Sequence, residues 1–170
     1  MKMSDLLQLY IELGFQDVET FIQSGNVIFR STLENPEHST ADKIEKSITQ
    51  RFGYDVRVMI RNIEELRVVY SSNPFTSEGK FDPARTAAIF LHDVPSEAQI
   101  QKVIKADYPP DKFKIIGKEI FIFCPNGFGR SKIYTNFFEN KMGVTGTARN
   151  WKTMTTILNI AERITANYSF

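Results

Sequence analysis

From Thr86 to the C-terminus the residue pattern reads strand, helix, strand, strand, helix, strand, helix; before it the chain reads helix, strand, strand, helix, strand, helix. The second series is a complete βαββαβ set with a helix appended. The first is the same set with its opening strand missing. That order leaves few folds open, because strand and helix faces must be buried against each other and a βαββαβ unit closes as one sheet backed by two helices. The sequence therefore predicts an α+β protein, a tandem duplication of ferredoxin-like βαββαβ modules. The expected halves are residues 1–74 and 86–170, joined by a linker at 75–85, with the opening strand absent from the first module. The duplication is one of element order, without a strong residue repeat.

The local patterns behind this order are specific. Leu6, Leu7, Tyr10, Ile11 and Leu13 recur at helical spacing behind Ser4, and Gly14 stops that helix. Residues 18–23 and 26–30 are β-branched and aromatic runs around Ser24-Gly25, a hairpin. Residues 31–38 read as a loop, and Ile44, Ile48 and Phe52 mark a second helix capped at Ser39 or Thr40. Residues 55–61 alternate, with Val56, Val58 and Ile60 inward and Arg57 outward, which predicts a strand; Asn62 with Glu65 resembles a capping box for a third helix. In the second half, strands are expected at 86–91, 114–117, 119–124 and 144–148, and helices at 96–105, 131–141 and 150–164. The opening strand of such a module is central in its sheet, so its absence predicts unpaired backbone groups and an exposed edge through which a homo-oligomer could form.

The chain has 170 residues, 42% of them apolar and 14 of them Phe, which excludes a disordered or collagen-like chain. With 21 Lys and Arg against 20 Asp and Glu, the net charge of +1 says nothing about a partner until the charges are placed. A single cysteine, Cys124, forbids an internal disulfide. The apolar runs 87–91 and 120–124 are too short to span a bilayer, and Met1-Lys2 leads into a polar cap, so a cytoplasmic protein without a membrane partner is expected. His38 and His92 lack cysteine or carboxylate partners at metal-ligand spacing; no metal or cofactor is expected, and no nucleophile elbow or zinc-protease helix is present.

Charge is concentrated late in the chain. Between Cys124 and Lys152 the cations are Arg130, Lys132, Lys141, Arg149 and Lys152, and the one anion is Glu139. Residues 125–132 are expected to leave a strand and open a helix: Asn126, Gly127, Gly129, Arg130, Ser131 and Lys132 combine glycines that admit close backbone approach with two cations. The segment fits an anion site, or else a strand-to-helix turn with solvated cations. Arg149, Asn150 and Trp151 occupy a second strand-to-helix junction. In a ferredoxin-like module the third and fourth strands flank the first and run the same way, so both junctions should emerge at one sheet edge about 10 Å apart. There Arg130 and Arg149 could hold a phosphate or carboxylate in a fork. Trp151 either stacks on a base or, as is commoner at a helix start, anchors the packing. Gln23, Ser24 and Asn26 are a secondary candidate contact, against the simpler reading of a hairpin tip. Cys124 reads as a buried small hydrophobe more readily than as a nucleophile.

Four motifs, Phe21-Ile22-Gln23-Ser24-Gly25-Asn26-Val27, Asn73-Pro74-Phe75, Pro125-Asn126-Gly127-Phe128-Gly129-Arg130-Ser131-Lys132 and Thr147-Ala148-Arg149-Asn150-Trp151-Lys152-Thr153, resemble in order and spacing the family called domain of unknown function 1697. The resemblance spans essentially the whole chain. It implies a duplicated ferredoxin-like fold and no assigned activity. Family members typically begin with a strand and a glycine loop ahead of a Lys-Met pair similar to Lys2-Met3, so the resemblance implies that the missing first strand is a truncation.

Three functions follow as expectations. The first is a binding module for a phosphate-bearing ligand, a nucleotide or single-stranded nucleic acid, at the basic edge of the second half. The second is an enzyme acting on a phosphorylated small molecule. The third is an assembly protein that pairs through the open sheet edge.

Overall fold

The computed structural model describes residues 1–22, 25–32, 37–79 and 81–168. In chain order its elements are α1 (Met3–Glu12), β1 (Gln16–Phe21), β2 (Asn26–Arg30), α2 (Glu37–Phe52), α3 (Ile63–Ser71) and β3 (Thr86–Leu91). They continue with α4 (Glu97–Gln101), β4 (Lys112–Ile116), β5 (Glu119–Phe123), α5 (Thr135–Met142), β6 (Gly146–Asn150) and α6 (Trp151–Ala166). The fold is α+β, with a two-stranded and a four-stranded antiparallel sheet.

The chain forms two compact units, Met1–Leu66 with Thr156–Phe170, and Arg67–Thr155. The division runs through α3 and α6 and not through residues 75–85, where the sequence suggests a linker. The reason is aromatic: Phe75 is buried with its ring 5.9 Å from that of Phe123, and Phe81 meets Trp151 edge-on at 6.0 Å. These rings tie 75–85 into the second unit.

In the Arg67–Thr155 unit the strand order is β4-β5-β3-β6. This is the order expected of a βαββαβ module, with its opening strand, β3, between its third and fourth. All six residues of β3 are buried. Ile89 and Leu91 face a core with Val103, Ile120, Ile122 and Phe138, and each such side chain contributes about 1.5–3 kcal/mol. At Gly146, on β6, an added Cβ would lie 2.8 Å from Ile89 Cγ2 and 3.2 Å from the Phe90 carbonyl oxygen, so glycine is what lets β6 lie this close to β3. Ser96 caps α4 in a reciprocal capping box with Gln99.

In the unit of residues 1–66 and 156–170, α1 and α2 cover β1 and β2. Leu6, Leu9, Tyr10, Phe15, Ile44 and Ile48 form its core, in which the Phe15 and Phe29 rings lie 4.4 Å apart. A bulge shifts the β1–β2 register between Gln16 and Glu19, with Asp17 at φ 50°. The Asp17 carboxylate accepts from Arg30 Nε at 2.9 Å and from the Tyr168 hydroxyl at 3.2 Å. Both contacts hold its pKa below the ordinary carboxylate value. The capping box at α3 is formed as expected, Asn62 N–H to Glu65 Oε2 and Glu65 N–H to Asn62 Oδ1, each 2.9 Å.

Residues 55–61, expected as a strand, join no ladder. Val56, Val58 and Ile60 still pack on the core, so the alternation is correct and the pairing is what is missing. Among the described residues no strand pairs with this segment.

Candidate functional site

β5 and β6 are both antiparallel to β3 and flank it; Phe123 sits opposite Thr86 and Asn150 opposite Ala87. The two junctions therefore leave the same end of the sheet, two strand spacings or about 10 Å apart. The local structure at each junction differs from the sequence reading, and the differences change what each residue can do.

After β5 the chain makes a 3-10 turn at Phe128–Arg130, and α5 begins only at Thr135. Asn126 to Lys132 therefore form a loop and do not present the amides of a helical first turn. The cause lies in Ser131, whose hydroxyl accepts the Ile133 amide at 3.1 Å and so diverts the backbone from helix at this point. Asn126, Gly129, Arg130 and Lys132 are exposed. Among the described residues neither Arg130 nor Lys132 has a carboxylate partner within ion-pair distance.

Gly127 has φ 89°, and a Cβ built on it would stand 2.6 Å from Nη1 of Arg85. Glycine is required here for its backbone angle, and the Arg85 guanidinium lies against it. Arg85 is the residue that sequence reasoning passed over. It stands one position before β3, inside the supposed linker, yet β3 starts between the two junctions, so a cation there must emerge at the same edge. Its nearest acid is Asp82, at 4.0 Å, with both side chains largely solvated.

At the second junction β6 runs from Gly146 to Asn150, two residues later than expected. Arg149 folds back along its own strand: Nη1 donates to Thr147 Oγ1 at 2.6 Å and to the Ala148 carbonyl at 2.8 Å. Burial lowers its pKa, and nearby Tyr134 acts in the opposite sense. These bonds turn Arg149 Nη1 toward its own strand. Asn150 Oδ1 accepts from Thr153 N–H at 2.8 Å and caps α6. Trp151 is 2% exposed, stacked on Tyr70 at 5.5 Å and in contact with Phe81 and Phe121. Its indole is a packing anchor, with no face left for a base.

Cys124, at the end of β5, is buried, and burial raises its thiol pKa above the ordinary value, with Ser131 opposing through a hydrogen bond and nearby Asp111 reinforcing. Tyr134 is raised by burial as well. Neither is set up as an anionic nucleophile. Glu119 starts β5 at the opposite end of the sheet, and Glu139 accepts the Gly146 amide at 3.1 Å, so neither carboxylate reaches this loop. Asp107 lines a groove of about 430 Å3 along β4 with Phe75, Asp111 and Lys112. Among the described residues no group of three His, Cys, Asp or Glu could hold a metal ion.

The secondary candidates belong to the other unit. Asn26 is buried and its Nδ2 donates to the Phe21 carbonyl at 3.1 Å, which closes the β1–β2 hairpin. Gln23 and Ser24 lie outside the described residues.

The family described as "Protein of unknown function (DUF1697)" matches residues 1–121, well over half the sequence. The chain belongs to that family. The two later motifs, 125–132 and 147–153, lie beyond the matched stretch, so this DUF1697 member carries its basic junctions outside the region that defines the match. A solved structure, the conserved bacterial protein SP0830 from Streptococcus pneumoniae, shares the fold: TM-score 0.69 and 19% identity, over 95% of this chain and 89% of that one. No curated protein sequence matches the chain. No described helix is long and apolar enough to cross a membrane.

Proposed function

We propose that this DUF1697 member is a binding module for a phosphate-bearing anion, seated at the end of the four-stranded sheet where β5 emerges. Arg130 and Lys132 meet the ligand, Arg85 supports it from the start of β3, and Asn126 donates from the loop. The observation that carries the reading is the Arg85 guanidinium lying against Gly127, which adds a cation from a third element to a loop whose own two cations are exposed.

Without an α-helical first turn at 127–132, side-chain charge supplies the attraction. Charge-assisted hydrogen bonds contribute about 1.5–3 kcal/mol each, against about 0.3–1 for an exposed helix end. Trp151 being packed away, the ligand is read through its phosphate and not by stacking on that indole. A nucleotide and a single-stranded nucleic acid share this chemistry and separate by salt: the nucleic acid gives a log-log slope of about −0.7 per neutralised phosphate.

Calorimetric titration at low salt with inorganic phosphate, nucleoside triphosphates and an oligothymidylate tests the proposal. Binding of at least one, weakened roughly tenfold or more by Arg130→Ala with Lys132→Ala, is the expected result. Absence of binding by all three, or binding indifferent to both substitutions, would overturn it.

A further inference from the structure

The four-stranded sheet of the Arg67–Thr155 unit ends in two edges, β6 and β4, and the chain treats them differently. At β6, His92 N–H donates to the Thr145 carbonyl at 3.0 Å, which makes Leu91 and Gly146 a pair without direct ladder bonds and turns the backbone groups of Gly146 and Ala148 outward. Side chains occupy that edge: Gly146 N–H donates to Glu139 Oε1 at 3.1 Å, and the Ala148 carbonyl accepts from Arg149 Nη1 at 2.8 Å.

At β4 the same reasoning gives the opposite result. Leu91 N–H donates to the Lys118 carbonyl at 2.8 Å, so Phe90 and Glu119 lack direct ladder bonds and the backbone groups of Glu119 point to β4. Bonded pairs alternate from there: Ile116, Lys114 and Lys112 bond Glu119, Phe121 and Phe123. The amides and carbonyls of Phe113 and Ile115 therefore face away from β5, and none of the four has a partner among the described residues. Along this edge runs the groove of about 430 Å3, with Phe75, Ile104, Ala106 and Ile116 in its lining. Ile104 is 53% exposed and Ile116 42%, so apolar surface lies beside the open backbone.

We infer that β4 is a docking edge for an extended, acidic segment of a different protein, which adds to the sheet antiparallel to β4 over about five residues. The lysines select the occupant. Lys112 and Lys114 are exposed and share one face of β4. A second copy of the chain, paired antiparallel through the outward groups, sets Lys114 against Lys114 when Phe113 lies opposite Ile115, and Lys112 against Lys114 when Phe113 lies opposite Phe113. Centred on Ile115, the pairing runs into the turn at Gly117 and Lys118. Like charges directly opposite are destabilising, so the edge disfavours its own copies, while carboxylates at the same positions complement it. Phe113 and Ile115 pack on the other face with the Val103 core, so the incoming residues opposite them are apolar. The occupant is an amphipathic strand, acidic toward the lysines and apolar toward Ile104.

The test uses the whole chain, a blocked peptide, Thr-Val-Glu-Val-Glu-Val-Thr, and amide hydrogen exchange. The expected result is a slowing of exchange at Phe113 and Ile115 by roughly tenfold or more on peptide addition, unchanged in the Arg130→Ala, Lys132→Ala variant. The same peptide N-methylated at alternate amides should give no slowing. A version with Lys in place of Glu should bind more weakly, an order that Lys112→Glu with Lys114→Glu reverses. Unchanged exchange at both amides with millimolar peptide, equal binding by the N-methylated form, or loss of binding in the Arg130→Ala, Lys132→Ala variant would overturn the inference. So would protection of both amides without peptide in a species with the mass of two chains, since a second copy would then hold the edge.

Discussion

β4 and residues 55–61 each set alternate apolar residues against a core, and only one of them is a strand. β4 shows its alternation across Lys112 to Ile116 and is paired along its length with β5. Residues 55–58 alternate in the same way, and Val56, Val58 and Ile60 lie on a hydrophobic core, yet the segment forms no ladder. The difference is the neighbour. β5 is itself held by β3, a strand buried at every position, whereas among the described residues of the unit with α1 and α2 no strand lies beside 55–61. Burial of one face is enough to extend a segment, and pairing needs a second backbone at about 4.8 Å.

The largest consequence is in the core. Ile89→Ala, in the centre of β3, is expected to cost about 2–5 kcal/mol by denaturant unfolding, because the side chain is fully buried and its surroundings cannot collapse. A cost below about 1 kcal/mol would mean that β3 does not anchor its unit.

Alkaline pH sharpens the contrast from the other side. Tyr10 lies on the buried face of α1, and burial raises its pKa far above 10. The folded state keeps this proton when the unfolded chain gives it up, so stability is intact below about pH 10 and falls above it by about 1.4 kcal/mol per pH unit. Tyr10→Phe should flatten that alkaline limb. Tyr134→Phe should flatten it less, since Arg149 partly offsets the effect of burial there.

The two capping boxes supply a matched pair. Asn62→Ala and Ser96→Ala each remove a side-chain acceptor from a helix start, for an expected loss of about 1 kcal/mol. A much smaller loss for Asn62→Ala would show that α3 does not rely on its cap. The smallest effect belongs to Val58→Ala, at about 1 kcal/mol or less in urea unfolding, because that side chain is only half-buried. A loss as large as that of Ile89→Ala would erase the distinction between the two units.

Much of this was legible in the residues. The order of elements, the capping boxes and the placing of both basic junctions at one sheet edge follow from local pattern and the geometry of a βαββαβ sheet. What failed depended on tertiary partners. The Ser131 side chain, by taking the Ile133 amide, delays α5 to Thr135. Phe75 and Phe81 look like linker residues until their ring partners Phe123 and Trp151 are in place. Arg149 looks like a free cation at a strand exit, and only the strand's true end, two residues late, lets it turn back onto Thr147 and Ala148. Arg85 was hidden by a composition of glycine, proline and charge that marked its surroundings as a loop.

Native-state amide exchange on the protein alone tests the central claim most directly. The account predicts that Arg57 and Met59 exchange with little protection while Ala88, Ile89 and Phe90 are slowed at least about a thousandfold relative to them. Equal, strong protection at both places in a monomer would contradict it, because the backbone at 55–61 would then already be paired.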